Sequence, residues 1–137
     1  MSLGMNQRVR EGIAILDLEG RLIVGEPVSA LRERIRELLD SGSKKIILNL
    51  QDVDYIDSTG LGGLVICFTS LQKAGGALKL LNLTRRNIEL LVLTKLTTVF
   101  EIFEDEQDAV NSFFPNREIR KFDILSFVRQ QGEPSGK

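Results

Sequence analysis

The sequence predicts a single α/β domain in which helices pack against a mixed, mainly parallel sheet of four to five strands. A chain of 137 residues supplies one hydrophobic core but is short for two. Short apolar runs alternate along the chain with segments whose apolar residues recur at helical spacing. One of these runs, residues 46–50, is nearly continuous, as in a strand that is covered on both faces.

The first half of the chain is predicted to alternate strand, helix and strand. Residues 12–24 have near-strand periodicity that Gly20 interrupts, which indicates a strand or a bent hairpin. Pro27 suits the first turn of a helix that is expected to end near Ser41 and Gly42. The strand at residues 46–50 is followed by a predicted polar loop at residues 51–57. The inward stripe of the helix comprises Val28, Leu31, Ile35, Leu38 and Leu39.

The second half repeats this alternation. A helix that includes Leu61 and stops before Gly75 is predicted to face inward with Leu61, Leu64, Val65, Phe68 and Leu71. Residues 77–83 then indicate a buried strand, residues 87–93 a short helix and residues 99–103 a short strand. Residues 105–113 predict a last helix, whose acidic first turn suits the helix dipole.

The two ends of the chain are predicted to lie outside the domain, which we place at residues 6–114. Residues 1–5 run from Met1 to a second methionine and are typical of a leader left by an expression vector. Residues 115–137 are expected to form an extension that is partly helical or disordered. Its apolar residues recur every three positions, which favours a helix docked on the core and leaves a partner-binding peptide as the alternative. These residues are Ile119, Phe122, Leu125 and Val128.

Composition excludes several classes of function. The net charge is -1 and no basic stripe is visible, so direct nucleic-acid binding is not expected. No apolar run approaches the roughly 20 residues of a membrane span, and no signal peptide is recognised, which predicts a cytoplasmic protein without membrane insertion. Histidine is absent and Cys67 is the single cysteine. Histidine-based catalysis, intramolecular disulfides and cysteine-rich zinc sites are therefore excluded, and no catalytic residue, metal or cofactor is expected.

The most informative segment is residues 57–62, with the sequence DSTGLG, at the junction of the predicted polar loop and the second helix. Asp57 or Ser58 can cap the exposed N–H groups of this helix, whose partial positive charge tolerates a phosphate. The alternative is an ordinary helix cap in which the glycines permit close packing. At about 100° per residue, an outward stripe on the helix comprises Gly62, Ile66, Thr69 and Lys73. An exposed isoleucine beside a glycine suits a binding patch, although a single exposed apolar residue is also commonplace.

Residues 57–62, with the strand at 46–50 and the sequence GGALKL at 75–80, resemble the phosphorylation-site region of the STAS-domain anti-sigma factor antagonists of bacteria. The similarity runs from about Val9 to Phe114 and includes residues 94–96 and 108–110. The resemblance implies a STAS-like fold and a binding protein that is not an enzyme. The unphosphorylated form is expected to bind an anti-sigma factor serine kinase and so to release the sigma factor.

The same resemblance implies the site residues. Ser58 is the expected phosphoacceptor, with Thr59 as the fallback; phosphorylation switches binding off, and a PP2C-type phosphatase restores the binding form. The implied partner surface comprises Asp57, Ser58, Thr59, Gly60, Gly62, Ile66 and Thr69. Two segments depart from the family pattern. Asn49 replaces an aspartate of many relatives, which predicts less negative charge near Ser58, and residues 21–27 differ from the usual Gly-x-Leu-Asp sequence. The oligomeric state is left open.

Two other functions share parts of this pattern. A STAS scaffold subunit, either of a stress-signalling assembly or of a lipid-transport ATPase complex, would carry every motif described above. An enzyme is the least favoured alternative, because no base accompanies Ser58. The aspartates at 52, 54 and 57 offer oxygen ligands, but their spacing lacks the glycine and distal glutamate of a calcium loop.

Overall fold

The computed structural model describes residues 3–120, 123–125 and 127. The elements whose bounds are described are five strands and four α-helices. In chain order they are β1 (Gly4–Arg10), β2 (Ile13–Leu22), α1 (Glu26–Asp40), β3 (Lys45–Ile56), α2 (Ser58–Lys73), β4 (Ala77–Leu81), α3 (Arg85–Leu93), β5 (Ile102–Phe103) and α4 (Glu106–Asn111).

The strands form one mixed sheet in the order β1-β2-β3-β4-β5. Strand β1 is antiparallel to β2, and all other neighbours are parallel, which confirms the predicted fold class. Because parallel neighbours are joined by right-handed crossovers, α1, α2 and α3 cover one face of the sheet. The main core lies under these helices and includes Leu16, Leu48 and Leu80 from the strands and Leu31, Leu64 and Leu91 from the helices.

Helix α4 covers part of the opposite face. A smaller core forms there from Ile13, Ile15, Ile47, Leu81, Phe103, Ala109 and Val110. Strand β3 therefore buries side chains on both faces, with Ile46 and Leu48 in the main core and Ile47 in the smaller one. This two-sided burial accounts for the nearly continuous apolar run at residues 46–50.

Strand β3 is longer than predicted, and the polar loop expected at residues 51–57 is wrong as far as Ile56. Residues 52–56 pair with residues 19–22 of β2. Only Val53 and Ile56 are buried in this part of the strand, so its other positions are free to be polar. Strand β4 pairs only with residues 45–49 of β3. Further along β3, the carbonyl of Val53 accepts a hydrogen bond of 2.8 Å from the side chain of Asn87 in α3.

After β4, helix α3 begins two residues earlier than predicted, whereas β5 and α4 are shorter than predicted. The strand expected at residues 99–103 is reduced to β5, which pairs only with Leu80 and Leu81, and a 3-10 turn, Leu96–Thr98, precedes it. Phe100 is buried but packs edge-on against Phe68 of α2, with 5.3 Å between the ring centres. Residue 100 therefore has a packing role outside the sheet, which its apolar character did not reveal.

Part of the C-terminal extension lies against the domain. Ile124 packs against the main core, and Ile119 is half-buried. Leu125, which the three-residue spacing placed on the docking stripe, is 71% exposed, so its predicted inward orientation is wrong. Phe122 and Val128, the other members of that stripe, lie outside the described residues.

Strand β1 was not predicted. Leu3 is buried in the main core and Gly4 begins the strand, so part of the segment assigned to a vector-derived leader packs against the fold. The sequence of β1 is mostly polar because it lies at the edge of the sheet. Its pairing with β2 nevertheless brings Arg8 opposite Ile15, beside two carboxylates on the face that α4 covers.

Arg8 connects β1 with β2 and α4. Its Nε lies 2.7 Å from Oδ2 of Asp17, and its Nη2 lies 2.6 Å from Oε1 of Glu106. Arg10 adds a contact of 2.6 Å to the other oxygen of Glu106. The hydrogen bond from Arg8, followed by that from Arg10, lowers the pKa of Glu106 to about 2. Glu106 is thus ionised in the fold at pH values where an unfolded glutamate is already protonated.

We expect Glu106→Gln to lose roughly 1–2 kcal/mol of unfolding free energy at pH 7, a figure already reduced for solvent screening. Because the folded pKa lies below the ordinary value of 4.5, this contribution is complete above about pH 4.5 and disappears as the pH falls toward 2. Urea unfolding followed by circular dichroism should show the two stability curves converging over that window. The exposed Glu104→Gln is the matched control, and parallel curves for wild type and Glu106→Gln would refute the role of this carboxylate.

Candidate functional site

Ser58 is exposed and is the first residue of α2. Only Asp57 separates it from β3, whose last residue, Ile56, is 4% exposed. The chain therefore passes from a buried strand to an exposed hydroxyl in two residues. Ser58 is therefore reached from solvent without opening the core.

Asp57 caps α2 and also holds the loop that leads from β2 to α1. Its Oδ1 accepts a hydrogen bond of 2.7 Å from the N–H of Gly60, and its Oδ2 accepts one of 2.9 Å from the N–H of Val24. The bonds from Val24 and then Gly60 lower the pKa of the Asp57 carboxyl. Of the two capping residues considered from the sequence, Asp57 is therefore the one that caps, and the Ser58 hydroxyl is not needed for this purpose.

Three glycines near the start of α2 differ in their surroundings. A Cβ on Gly60 would lie 2.0 Å from the carbonyl oxygen of Leu22, so the backbone of α2 packs directly against the end of β2 at this point. A Cβ on Gly63 would lie 3.0 Å from Cγ1 of Val28, which brings α1 and α2 together. A Cβ on Gly62 would meet nothing within 4 Å. Gly60 and Gly63 serve packing, whereas the space above Gly62 is open.

The residues expected at a partner surface fall into an exposed group and a group that is half-buried or buried. Four of them are exposed: Ser58, Thr59, Gly62 and Ile66, of which Ile66 is 44% exposed. Asp57 and Thr69 are half-buried, and Gly60 is buried. We call the four exposed residues the α2 surface. Gly60 supports this surface from below, through its N–H bond to Asp57 and its close packing.

The sequence interpretation missed one exposed residue beside Ser58. Val24 is 63% accessible, and its N–H bond to Asp57 fixes it next to the start of α2. Gly25 follows it with a φ of 104°, a conformation that favours glycine, and α1 begins at the next residue. An apolar residue between a strand and a helix-capping glycine is the signal that could have indicated an exposed loop tip.

Asn49 does not lie near Ser58, so the predicted reduction of negative charge at the site is wrong. Asn49 lies seven positions before Ile56 along β3, which is about 20 Å of strand. Its amide instead donates a hydrogen bond of 2.8 Å to Asp17 on the α4 face of the sheet. The error came from ending the strand at residue 50.

Within the part of the chain that the structure describes, no group of three or more aspartate, glutamate and cysteine side chains is close enough together to hold a metal ion. Cys67 is 2% exposed, and burial raises the pKa of its thiol to about 11. This cysteine is therefore protonated and unreactive at neutral pH. No helix in the described ranges has both the length and the apolar character needed to cross a bilayer.

Comparison with known proteins identifies similar sequences and structures. A family model for the STAS domain matches residues 5–109. The anti-sigma-B factor antagonist of Bacillus subtilis is 34% identical over 111 residues, which cover 80% of this chain and 99% of that protein.

Two solved structures extend the comparison. A candidate anti-sigma factor antagonist from Thermotoga maritima has a TM-score of 0.74 at 27% identity, over 79% of this chain and 92% of that one. The Bacillus protein SpoIIAA in its phosphorylated form has a TM-score of 0.63 at 20% identity, over 80% of this chain and 99% of that one. At this lower identity the likeness shows a shared fold.

Proposed function

Because the chain belongs to the STAS-domain family of anti-sigma factor antagonists, we propose that it binds an anti-sigma factor serine kinase and thereby releases a sigma factor. Phosphorylation of Ser58 by that kinase switches binding off, and a PP2C-type phosphatase restores it. Thr59 is the fallback acceptor. The protein acts in the cytoplasm by binding and not by catalysis.

The observation that carries this proposal is the exposure of Ser58 at the start of α2. A hydroxyl acceptor must be reachable, and its phosphate must be tolerated by its own domain. The N-terminus of a helix of 16 residues provides a favourable field for a dianion. The Asp57 carboxylate next to it opposes this field in part, but it is already engaged by two backbone N–H groups.

The switch follows from what the phosphate does to the complex. A phosphoserine carries a charge of about -1.5 to -2 at pH 7, and free protein can leave this charge in water. A partner that covers Ser58 would have to desolvate the phosphate or place it beside charges of its own. Because Ser58 is exposed, its phosphorylation has little effect on the free energy of unfolding. The main effect is to make the free energy of binding to the partner less favourable.

Gly62→Arg is expected to weaken the complex with the anti-sigma factor at least about tenfold without a large loss of stability. The added side chain enters open space above α2, where it would meet the partner and not the core. Isothermal titration gives the affinity, and urea unfolding gives the stability. Gln72→Arg, which adds the same charge at an exposed position near the other end of α2, is the control. Equal affinities for the two variants would remove Gly62 from the contact surface.

The function is tested by purifying the full chain with its partners from its native cell and mapping phosphopeptides in the same sample. We expect a small serine kinase that also binds a sigma factor, and a phosphate on Ser58 in part of the unbound protein. Recovery of a multimeric scaffold or of a transporter ATPase, with no such kinase, would overturn the proposal.

A further inference from the structure

A groove of about 360 Å³ runs between α1 and α2, next to the α2 surface. Ile66 belongs to both features, so the groove is continuous with the proposed site. Its floor is apolar and includes Ile35 and Cys67, each 2% exposed, with the half-buried Leu39 beside them. Its sides carry polar groups, among them Ser29 and Arg32.

The groove has this form because α1 and α2 pack closely at Gly63 and Val28. The glycine brings the two helices together near the ends that are closest to Ser58. Farther along, residues 29–39 of α1 face residues 66–70 of α2 across the groove. An extended or helical segment of another protein that lies on the α2 surface would therefore reach α1 as well.

Arg32 is distinguished from the other two arginines of α1 by the lack of a partner. Arg34 lies 3.8 Å from Glu37, and Arg36 lies 2.5 Å from Glu33, each on the same helix. Arg32 has no ion pair or hydrogen bond with any residue that the structure describes. Its guanidinium is exposed on the side of the groove, so the groove has one uncompensated positive charge.

We propose that the groove binds an acidic segment of the anti-sigma factor, with a carboxylate on Arg32 and an apolar side chain against Ile66 and Leu39. The inference rests on the proposed function and extends the partner surface from α2 to α1. It also implies that the phosphate on Ser58 acts on a part of the partner that does not touch Ser58. Ser58 precedes Ile66 by eight residues, or about 12 Å of helix, so its phosphate would repel an acidic segment in a salt-dependent manner.

The test uses the full chain and the purified anti-sigma factor kinase obtained by co-purification with the wild type. Affinities are measured by isothermal titration at low and high salt for wild type, Arg32→Glu, Arg32→Met and Lys95→Glu. Lys95 is exposed in the turn after α3, so its reversal changes the net charge equally, away from the groove. We expect Arg32→Glu to weaken binding at least about tenfold at low salt and less at high salt, with Arg32→Met intermediate and Lys95→Glu within about twofold of wild type.

The outcomes separate this inference from the proposed function. If wild type binds and a negative charge at Ser58 weakens binding, but Arg32→Glu binds as wild type does, the groove is not the contact and the function stands. If wild type binds no anti-sigma factor, both proposals fail. A second copy of this chain is the other molecule that could occupy the groove, and sedimentation of the free protein tests for it. If wild type is a dimer that Arg32→Glu dissociates, and the affinity for the kinase is unchanged, the groove belongs to the dimer and the inference is overturned.

Discussion

Ser58→Asp is expected to bind the anti-sigma factor kinase at least about tenfold more weakly than wild type, whereas Ser58→Ala binds with wild-type affinity and cannot be switched off. The aspartate places a negative charge at the exposed start of α2, where a docking partner must desolvate it. The alanine leaves the surface uncharged and removes only the acceptor oxygen. Isothermal titration of the three proteins measures the difference.

The fold should be indifferent to both changes. Ser58 is the first helical residue and Asp57 supplies the cap, so neither variant removes a capping bond. Ser58→Asn matches the aspartate in size without its charge and is expected to bind close to the wild-type level. If Asn and Asp weaken the complex equally, the effect is steric and the electrostatic switch is refuted.

Gly60→Ala is expected to destabilise the domain by about 3 kcal/mol, near the upper end of overpacking effects. The added methyl group would lie 2.0 Å from the carbonyl oxygen of Leu22, which is backbone and cannot rotate away. Either α2 or the end of β2 must move, and the bonds of Asp57 to Gly60 and Val24 are disturbed with it. Urea unfolding at neutral pH provides the measurement.

Gly62→Ala is the matched control, because it makes the same change two residues away in open space. It is expected to retain or slightly increase stability, since alanine has the higher helix propensity. A Gly60→Ala protein as stable as Gly62→Ala would show that α2 does not pack against Leu22 as described.

The sequence was sufficient to predict the fold class, the main helices and the family, and the family membership is confirmed. The apolar patterns are strong where an element is buried on one side, as in α1, or on both faces, as at residues 46–50. The DSTGLG segment was equally informative, since its residue types indicate a helix cap at Asp57 and a closely packed glycine at Gly60. The predicted inward and outward positions of α2 follow from its single buried side, with Leu61 buried and Gly62 exposed.

The features that were not predicted depend on tertiary contacts. Strand β1 is polar because it is an edge strand. Its Arg8 donates a hydrogen bond to Glu106, which is almost a hundred positions away in the sequence. Residues 51–56 form a strand because β2 continues beside them, although few of their side chains are buried. The exposed position of Val24 depends on its bond to Asp57, and the groove beside Arg32 depends on how two helices meet. Apart from Val24, which precedes a helix-capping glycine, these features leave no local pattern in the sequence.

The most direct measurement compares one preparation of the full chain before and after enzymatic phosphorylation, with the phosphate located by peptide mass spectrometry and the affinity for the anti-sigma factor kinase determined by titration. The prediction is a single phosphate on Ser58, an unchanged unfolding transition and an affinity reduced at least about tenfold. A fully phosphorylated Ser58 that leaves the affinity as it was, or a phosphate found only on a residue far from the start of α2, would contradict the account.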